Sequence, residues 1–492
     1  MTRRGGDPRA LSPLVPLVAG AAISVVIALV IALVVAWVPA ARGTDARPSP
    51  GSAHGTARAS GPPVPSPAGS PVPIDPAGYS PVEPVIGGSF ADPAVIEAAG
   101  TYFAYGTNNG DATMPVATAP TPTGPWRTSP GDGLARLPGW ASEGRTWAPE
   151  VVPPQGASRS YLLYFSARRR GGDEQCIGVA TAASPAGPFV PREDGPLVCP
   201  LDLGGAIDAA SYIETDGTRY LLYKSDGRRT AAIYLVRLSP DGLRPAGAPK
   251  RIMGRGPDEP VLVEAPDLVR RGGKYVLLYS AGWYFESNYQ TRYAVASSIE
   301  GPYEKAGPLQ STGLYGGAVE GPGSADVLSS RTGDYLVFHG ILDHHGGSRV
   351  TRGMYVARLG WDGARPVVRG VPVRYEAERG RLGGCVFALA RPGASGGRAI
   401  GPFARADCRV DVPVFAPAAG KYTVGIRYAN RSGRDSRLEL SVDGRVAAPV
   451  RLPVATGGGW ATATAEVDLA DGWHTLGLRS ADQLEIDYLD LR

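Results

Sequence analysis

Tyr161-Leu162-Leu163-Tyr164-Phe165 is a short aromatic and aliphatic run with a serine on either side. A run this short and this apolar, bounded by polar residues, reads as a buried strand. It recurs as Tyr102-Phe103-Ala104-Tyr105-Gly106, Tyr220-Leu221-Leu222-Tyr223-Lys224, Tyr275-Val276-Leu277-Leu278-Tyr279 and Tyr335-Leu336-Val337-Phe338-His339, at intervals of 59, 59, 55 and 60 residues. A second element follows most copies. Val116-Ala117-Thr118-Ala119 leads to Gly124-Pro125-Trp126, Val179-Ala180-Thr181-Ala182 to Gly187-Pro188-Phe189, and Val295-Ala296-Ser297-Ser298 to Gly301-Pro302-Tyr303. After the third and fifth copies it degrades to Tyr234-Leu235-Val236-Arg237 and Tyr355-Val356-Ala357-Arg358. Each repeat therefore holds several short strands. Five of them predict an all-β fold, a five-bladed β-propeller over residues 81–371. A β-sandwich with accidental similarity is the alternative, and five such even spacings speak against it.

The composition agrees with this. Gly (67) and Pro (47) are abundant and only 20% of residues are charged, which excludes a coiled coil or long-helix protein. The net charge of +4 is too balanced for a nucleic-acid binder. Residues 372–492 change character. Tyr422, Val424, Ile426 and Tyr428 alternate with other residues, as do Leu438, Leu440 and Val442 before Asp443-Gly444, and Leu484, Ile486 and Tyr488. Period two with an Asp-Gly turn predicts an antiparallel β-sandwich.

The N-terminus sets the compartment. Residues 17–38 are apolar except for Gly20 and Ser24, and Arg3, Arg4 and Arg9 precede them. That is long enough for one transmembrane helix, with a cytoplasmic tip in residues 1–42. A cleaved signal peptide ending near Val38-Pro39-Ala40 is the alternative. Either way, the chain after Arg42 lies outside the cytoplasm, tethered to the cell membrane by a single pass or secreted. Residues 43–80, rich in Pro, Ser, Gly and Ala, read as a disordered spacer. Cys176 and Cys199 are 23 apart, as are Cys385 and Cys408. Two local pairs in an oxidising compartment predict two disulfides, and no CxxC spacing supports zinc.

Acids stand in step with the repeat. Asp92 lies 10 residues before Tyr102, Glu150 11 before Tyr161, Asp208 12 before Tyr220, and Glu264 11 before Tyr275. The fifth repeat has Gly321-Pro322-Gly323-Ser324 here, with Asp326 nearby. In a propeller these positions converge on one axis. Clustered carboxylates repel, so they need a metal or a catalytic use. Aromatic residues near them in sequence, Trp140, Trp147, Trp283, Tyr284 and Phe285, suit sugar rings and favour glycoside hydrolysis, which takes two carboxylates across the scissile bond.

Phe90-Ala91-Asp92-Pro93, Trp147-Ala148-Pro149-Glu150, Ile207-Asp208-Ala209 and Val263-Glu264-Ala265-Pro266 together resemble glycoside hydrolase family 43 over about 290 residues. The resemblance implies an inverting hydrolase with no cofactor for its chemistry. Asp92 would be general base, Asp208 modulator and Glu264 general acid, with Glu264 held protonated by burial and by the Asp208 charge. Glu150 would be a structural or pocket residue. Phe90, Trp147, Trp283, Tyr284 and Ser324 are the candidate substrate contacts. Many members have a His after Gly-Pro-Gly where this chain has Ser324. His339 matches a His that ligates a central ion, often calcium, through ordered water; a neutral core His is the alternative. His344 and His345, in a Gly-rich loop, read as surface residues. No Arg-Asp-Pro tripeptide occurs, which argues against the related retaining sucrose-type enzymes.

Tyr375-Glu376-Ala377-Glu378, Ala419-Gly420-Lys421-Tyr422 and Ile486-Asp487-Tyr488-Leu489 resemble carbohydrate-binding modules of families 35 and 6. That implies a jelly roll with a structural calcium, for which Glu376, Glu378 and Asp487 are candidate ligands. Trp460 and Trp473 are either sugar platforms or core. The expected partner is a polysaccharide, through α-L-arabinofuranosyl linkages. A β-xylosidase or β-galactosidase of the same family, or a non-catalytic sugar-binding propeller, are the alternatives.

Overall fold

The five Tyr runs are the second strands of five four-stranded antiparallel sheets: Thr101–Tyr105, Tyr161–Arg169, Arg219–Ser225, Lys274–Ala281 and Gly333–His344. Each has a strand on both edges, which is why its residues are buried and read as unbroken apolar runs. The Gly-Pro-aromatic turns of sheets one, two and four lead into their fourth strands, Arg127–Thr128, Val190–Pro191 and Glu304–Ser311. The computed structural model describes residues 83–156, 158–227, 231–315, 317–455 and 459–492. The expected membrane helix (17–38) and spacer (43–80) lie outside the described residues. Among these, no helix is long and apolar enough to cross a membrane.

The first strands are Ala94–Ala98, Ala141–Val152, Ala206–Ile213, Val263–Arg271 and Glu320–Ser330. Each touches the first strand of the next sheet, and the fifth touches the first, so the sheets close a ring. The chain entering sheet one completes the closure. Met354 of sheet five accepts from Val85 N–H (2.8 Å) and donates to Ile86 (3.1 Å).

Each first strand carries, within it or two residues before it, a left-handed residue that is not glycine: Asp92, Ala148, Asp208, Ala265 and Ser324, with φ from 42° to 56°. Each costs roughly 1–2 kcal/mol. In return its N–H points sideways into the preceding sheet, where a side chain accepts it. Asp92 N–H reaches His339 Nδ1 (3.2 Å), Ala148 reaches Thr107 Oγ1 (3.0 Å), and Asp208 reaches Ser166 Oγ (3.2 Å). Ala265 reaches Asp208 Oδ2 (2.9 Å) and Ser324 reaches Ser280 Oγ (2.7 Å). Five sideways hydrogen bonds thus stitch the ring and fix the backbone that carries the acids.

Residues 372–492 form a six-stranded and a five-stranded sheet over one shared core. Tyr422, Val424, Ile426 and Tyr428 line it, as the alternation predicts. The last strand departs. Leu484 and Ile486 are buried, then the inward parity shifts to Leu489 and Leu491, because the pairing with the strand Gly420–Asn430 bulges between Ile486 and Tyr488. Tyr488 therefore leaves the core and carries the Arg374 guanidinium 3.6 Å from its ring centre. Both disulfides form as the spacing predicts, Cys176–Cys199 and Cys385–Cys408, with Cα separations of 4.7 and 4.9 Å.

Candidate active site

Asp92, Asp208 and Glu264 face one cleft of about 290 Å³, together with Trp147, Trp283, Tyr284 and Ser324. Phe90 does not join them. It is 1% exposed, packed in the core shared by sheets five and one against Gly106, and so is no substrate contact. Its backbone matters instead, since Phe90 N–H donates to Arg352 C=O (2.8 Å). Trp140 likewise stacks on Phe165 inside sheet two. Phe285 stacks on Trp283 and meets Tyr284 edge-on, bracing the aromatic wall.

The even spacing of the acids hides three registers. Asp92 and Asp208 occupy the left-handed position, Glu264 stands one residue before it, and Glu150 two residues after it. Glu150 therefore faces an adjoining axial cavity of about 40 Å³, with Asp267 and Asp326. Each of these accepts a backbone N–H from the next sheet: Glu150 from Ser211 (3.0 Å), Asp267 from Val327 (3.0 Å), Asp326 from Val95 (2.9 Å). Burial and then the Asp326 charge push Glu150 and Asp267 up to about 8. Burial lifts Asp326 to about 6.

Asp92 and Asp208 are shifted in opposite directions. Burial works to raise Asp92, but Arg352 Nη1 lies 2.9 Å from Oδ1, and His339 and the Thr107 hydroxyl (2.6 Å, to Oδ2) add to it. Together they hold the carboxyl well below the usual range. Asp208 is pushed the other way, up to about 8, by burial and then by the Glu264 charge. Glu264 Oε2 receives Lys224 Nζ (3.2 Å) and Oε1 receives the Tyr289 hydroxyl (2.9 Å). Lys224 also binds Asp226 Oδ1 (3.0 Å); against the cost of burial, Glu264 and Asp226 hold its ammonium above the usual lysine range. Arg352 is braced from behind by the Tyr284 ring, 4.6 Å away.

Arg352, Lys224, Asp226, Tyr289 and Thr107 were not visible as site residues in the sequence. Lys224 alone carried a signal, as a charged residue ending a buried Tyr run.

His339 is fully buried and lines neither cavity. Burial, then Arg352, lowers it to about 4, so the ring is neutral. Its Nδ1 lies 3.2 Å from both the Asp92 backbone nitrogen and Asp92 Oδ1, in the place where Thr107, Ser166 and Ser280 accept in their sheets. His339 is the fifth stitch, and its Nε2 is buried without a hydrogen-bond partner. Among the described residues, no group of three or more His, Cys, Asp and Glu side chains is gathered to hold a metal.

In the C-terminal part, Ser395 gathers two of the three expected calcium ligands. Its N–H donates to Asp487 (3.0 and 3.1 Å) and its hydroxyl to Glu376 Oε1 (2.7 Å). Arg427 pairs with Asp487, while Glu376 Oε2 and Glu378 Oε2 are buried without a hydrogen-bond partner. Those two orphaned oxygens suit a hard cation. Trp473 is 55% exposed, Trp460 faces Arg427, and His344, ending the strand Gly333–His344, and His345 after it are both exposed.

The family model of the glycosyl hydrolases family 43 matches residues 82–364. The chain is 30% identical over 233 residues to the beta-D-galactofuranosidase xynD of Aspergillus niger, covering 45% of this chain and 64% of that protein. It is 27% identical over 338 residues to a probable arabinan endo-1,5-alpha-L-arabinosidase B of Aspergillus flavus, covering 57% and 89%. A solved thermostable family-43 glycoside hydrolase superposes with a TM-score of 0.50 at 28% identity, over 57% of this chain and 93% of that one. The match runs from the segment that closes the ring to the end of sheet five's third strand and takes in every cleft acid; the chain belongs to glycosyl hydrolases family 43.

Proposed function

We propose that the chain is an inverting glycoside hydrolase acting outside the cytoplasm on furanosyl linkages of a polysaccharide, α-L-arabinofuranosyl first. One observation carries this. Two sets of carboxyls face one cleft, and their surroundings push their proton affinities apart, which is how a base and an acid are made from the same residue type. Asp92, kept ionised by Arg352, takes a proton from water on the face opposite the leaving group. Asp208, lifted to about 8, keeps a proton near neutral pH beside Glu264, and Glu264 is the group that protonates the departing oxygen. Trp147, Trp283 and Tyr284 offer faces to the sugar.

In this proposal the five sheets over 81–371 are the blades of a β-propeller. Residues 372–492 are a jelly-roll sandwich that binds sugar, with calcium held by Glu376, Glu378 and Asp487. A residue count of 1–42 for the anchor and 43–80 for the spacer completes the domain plan. The similarity to the Aspergillus niger beta-D-galactofuranosidase favours a second sugar, β-D-galactofuranose.

The test is a panel of aryl glycosides offered to the full chain: α-L-arabinofuranoside, β-D-galactofuranoside, β-D-xyloside and β-D-galactoside. NMR follows the anomer first released. The expected outcome is turnover of a furanoside with inversion. Turnover of only a pyranoside would move the substrate to the xylosidase or galactosidase reading, a retained anomer would refute the mechanism, and binding without turnover would make the chain a lectin.

A further inference from the structure

One place in the ring breaks its own rule. Thr107, Ser166, Lys224, Ser280 and His339 occupy equivalent places, opposite the residue just before the left-handed one. Four of them accept the next sheet's N–H. Lys224 cannot, because an ammonium has donors only. In its absence Ala265 N–H is taken by Asp208 Oδ2, a carboxylate of the cleft. The ammonium, freed from stitching and only 5% exposed, lies between Glu264 Oε2 and Asp226 Oδ1. A single departure from the repeat therefore does two things. It drafts Asp208 into the backbone scaffold, and it places a buried cation against Glu264.

We propose that Lys224, balanced by Asp226, is the positioning residue that sets how tightly the Asp208–Glu264 pair holds its proton, and so where on the pH scale the alkaline limb of catalysis falls. This deepens the glycosidase assignment and rests on it for the kinetic consequence.

The groups that face this pair are few. Lys224 and Asp226 stand on one side, Tyr289 and Asp92 on another, with Arg352 beyond Asp92. Tyr289 is buried and its hydroxyl is held far above its usual value, first by burial and then by Glu264, so it stays neutral. The Lys224 charge lowers Asp208, against burial and Glu264, which raise it. Removing that cation must let the pair keep its proton to higher pH. Removing the Asp226 charge must do the reverse, since it leaves the cation undivided. A pair of this kind titrates as a unit, so the measurable quantity is the pair's apparent titration.

The experiment titrates the full chain, labelled with carboxyl-13C Asp and Glu, in wild type, Lys224→Ser, Lys224→Arg and Asp226→Asn. Serine is the residue that sheets two and four use at this place and returns a hydroxyl to Ala265 N–H, so Lys224→Ser keeps the stitch. The upper carboxyl titration should rise by about 1 pH unit or more in Lys224→Ser, fall in Asp226→Asn and stay near wild type in Lys224→Arg. The alkaline limb of kcat/KM should move in the same directions. A merely structural lysine would lower rates in both neutralised variants and leave titrations and limbs where they are, which overturns the proposal. Titrations that move as stated in a chain that hydrolyses no glycoside uphold the role of Lys224 and sink the assignment of function instead.

Discussion

The ring of Tyr289 lies flat on the ring of His339, centroids 5.5 Å apart and planes 4° apart. The tyrosine hydroxyl donates to Glu264, and the histidine accepts from the backbone of Asp92. One stack thus ties the proposed acid to the proposed base. Gly323 makes room for it, since a Cβ there would come within 2.2 Å of the Tyr289 ring.

Tyr289→Phe should keep the stack and lose only the hydrogen bond to Glu264. A bond to a charged group contributes about 1.5–3 kcal/mol, so kcat/KM should fall roughly 10–100-fold with the melting temperature little changed. Gly323→Ala should push the ring aside and cost at least as much. Unchanged kinetics in both variants would mean the stack does not position the acid.

Arg352→Met tests the ionised state of Asp92. With the guanidinium gone, burial is opposed only by His339 and Thr107, so the carboxyl takes up its proton at higher pH. A base must be ionised to act. The acid limb of the pH–rate profile should therefore move up by about 1 pH unit or more. A limb that stays put would detach Arg352 from the base.

Azide separates the roles of the acids. Asp92→Ala should lose about 10²–10⁴-fold on every substrate, and azide should restore part of that on an activated glycoside as the inverted azide. Glu264→Ala should lose most on substrates with poor leaving groups. A retained azide from Glu264→Ala would make the enzyme retaining.

Stability should fall with rising pH. Glu150, Asp267 and Asp208 are raised to about 8 and Asp326 to about 6, so their protonated forms stabilise the fold below the ordinary carboxyl range, and that contribution is lost as pH climbs through 6–8. His339, lowered to about 4, acts oppositely but only below the ordinary histidine value, and the depressed Asp92 is fully ionised well before that. Melting scans from about pH 6.5 to about 8.5 should show a falling midpoint, flattened in Asp267→Asn. A flat or rising midpoint in the wild type would contradict the buried protons.

The five sheets were legible because their second strands are apolar on both faces and recur in step. The cleft acids were legible as a group but not in their directions. Counting back to a tyrosine treats Glu150 and Glu264 alike, both 11 residues away, whereas the left-handed residue near each turns Glu264 into the cleft and Glu150 into the axial cavity. Phe90 misled because it sits two residues from Asp92, and nothing in the string says that its ring turns inward while its N–H holds Arg352. Arg352 and Tyr289 were invisible because they lie on the third strand of sheet five and just before the third strand of sheet four, brought to the acids by the ring and not by the chain.

A five-fold ring looks the same from every sheet, but a glycoside does not: one side of its bond leaves and the other is attacked. The stitching places show how the protein supplies the missing direction. Three of the five carry a plain hydroxyl, and the two that carry nitrogen stand beside Asp92 and beside Glu264. Two substitutions in an otherwise repeated ornament give the cleft a compass: they set the Asp92 side, with its neutral ring, apart from the Glu264 side, with its buried cation.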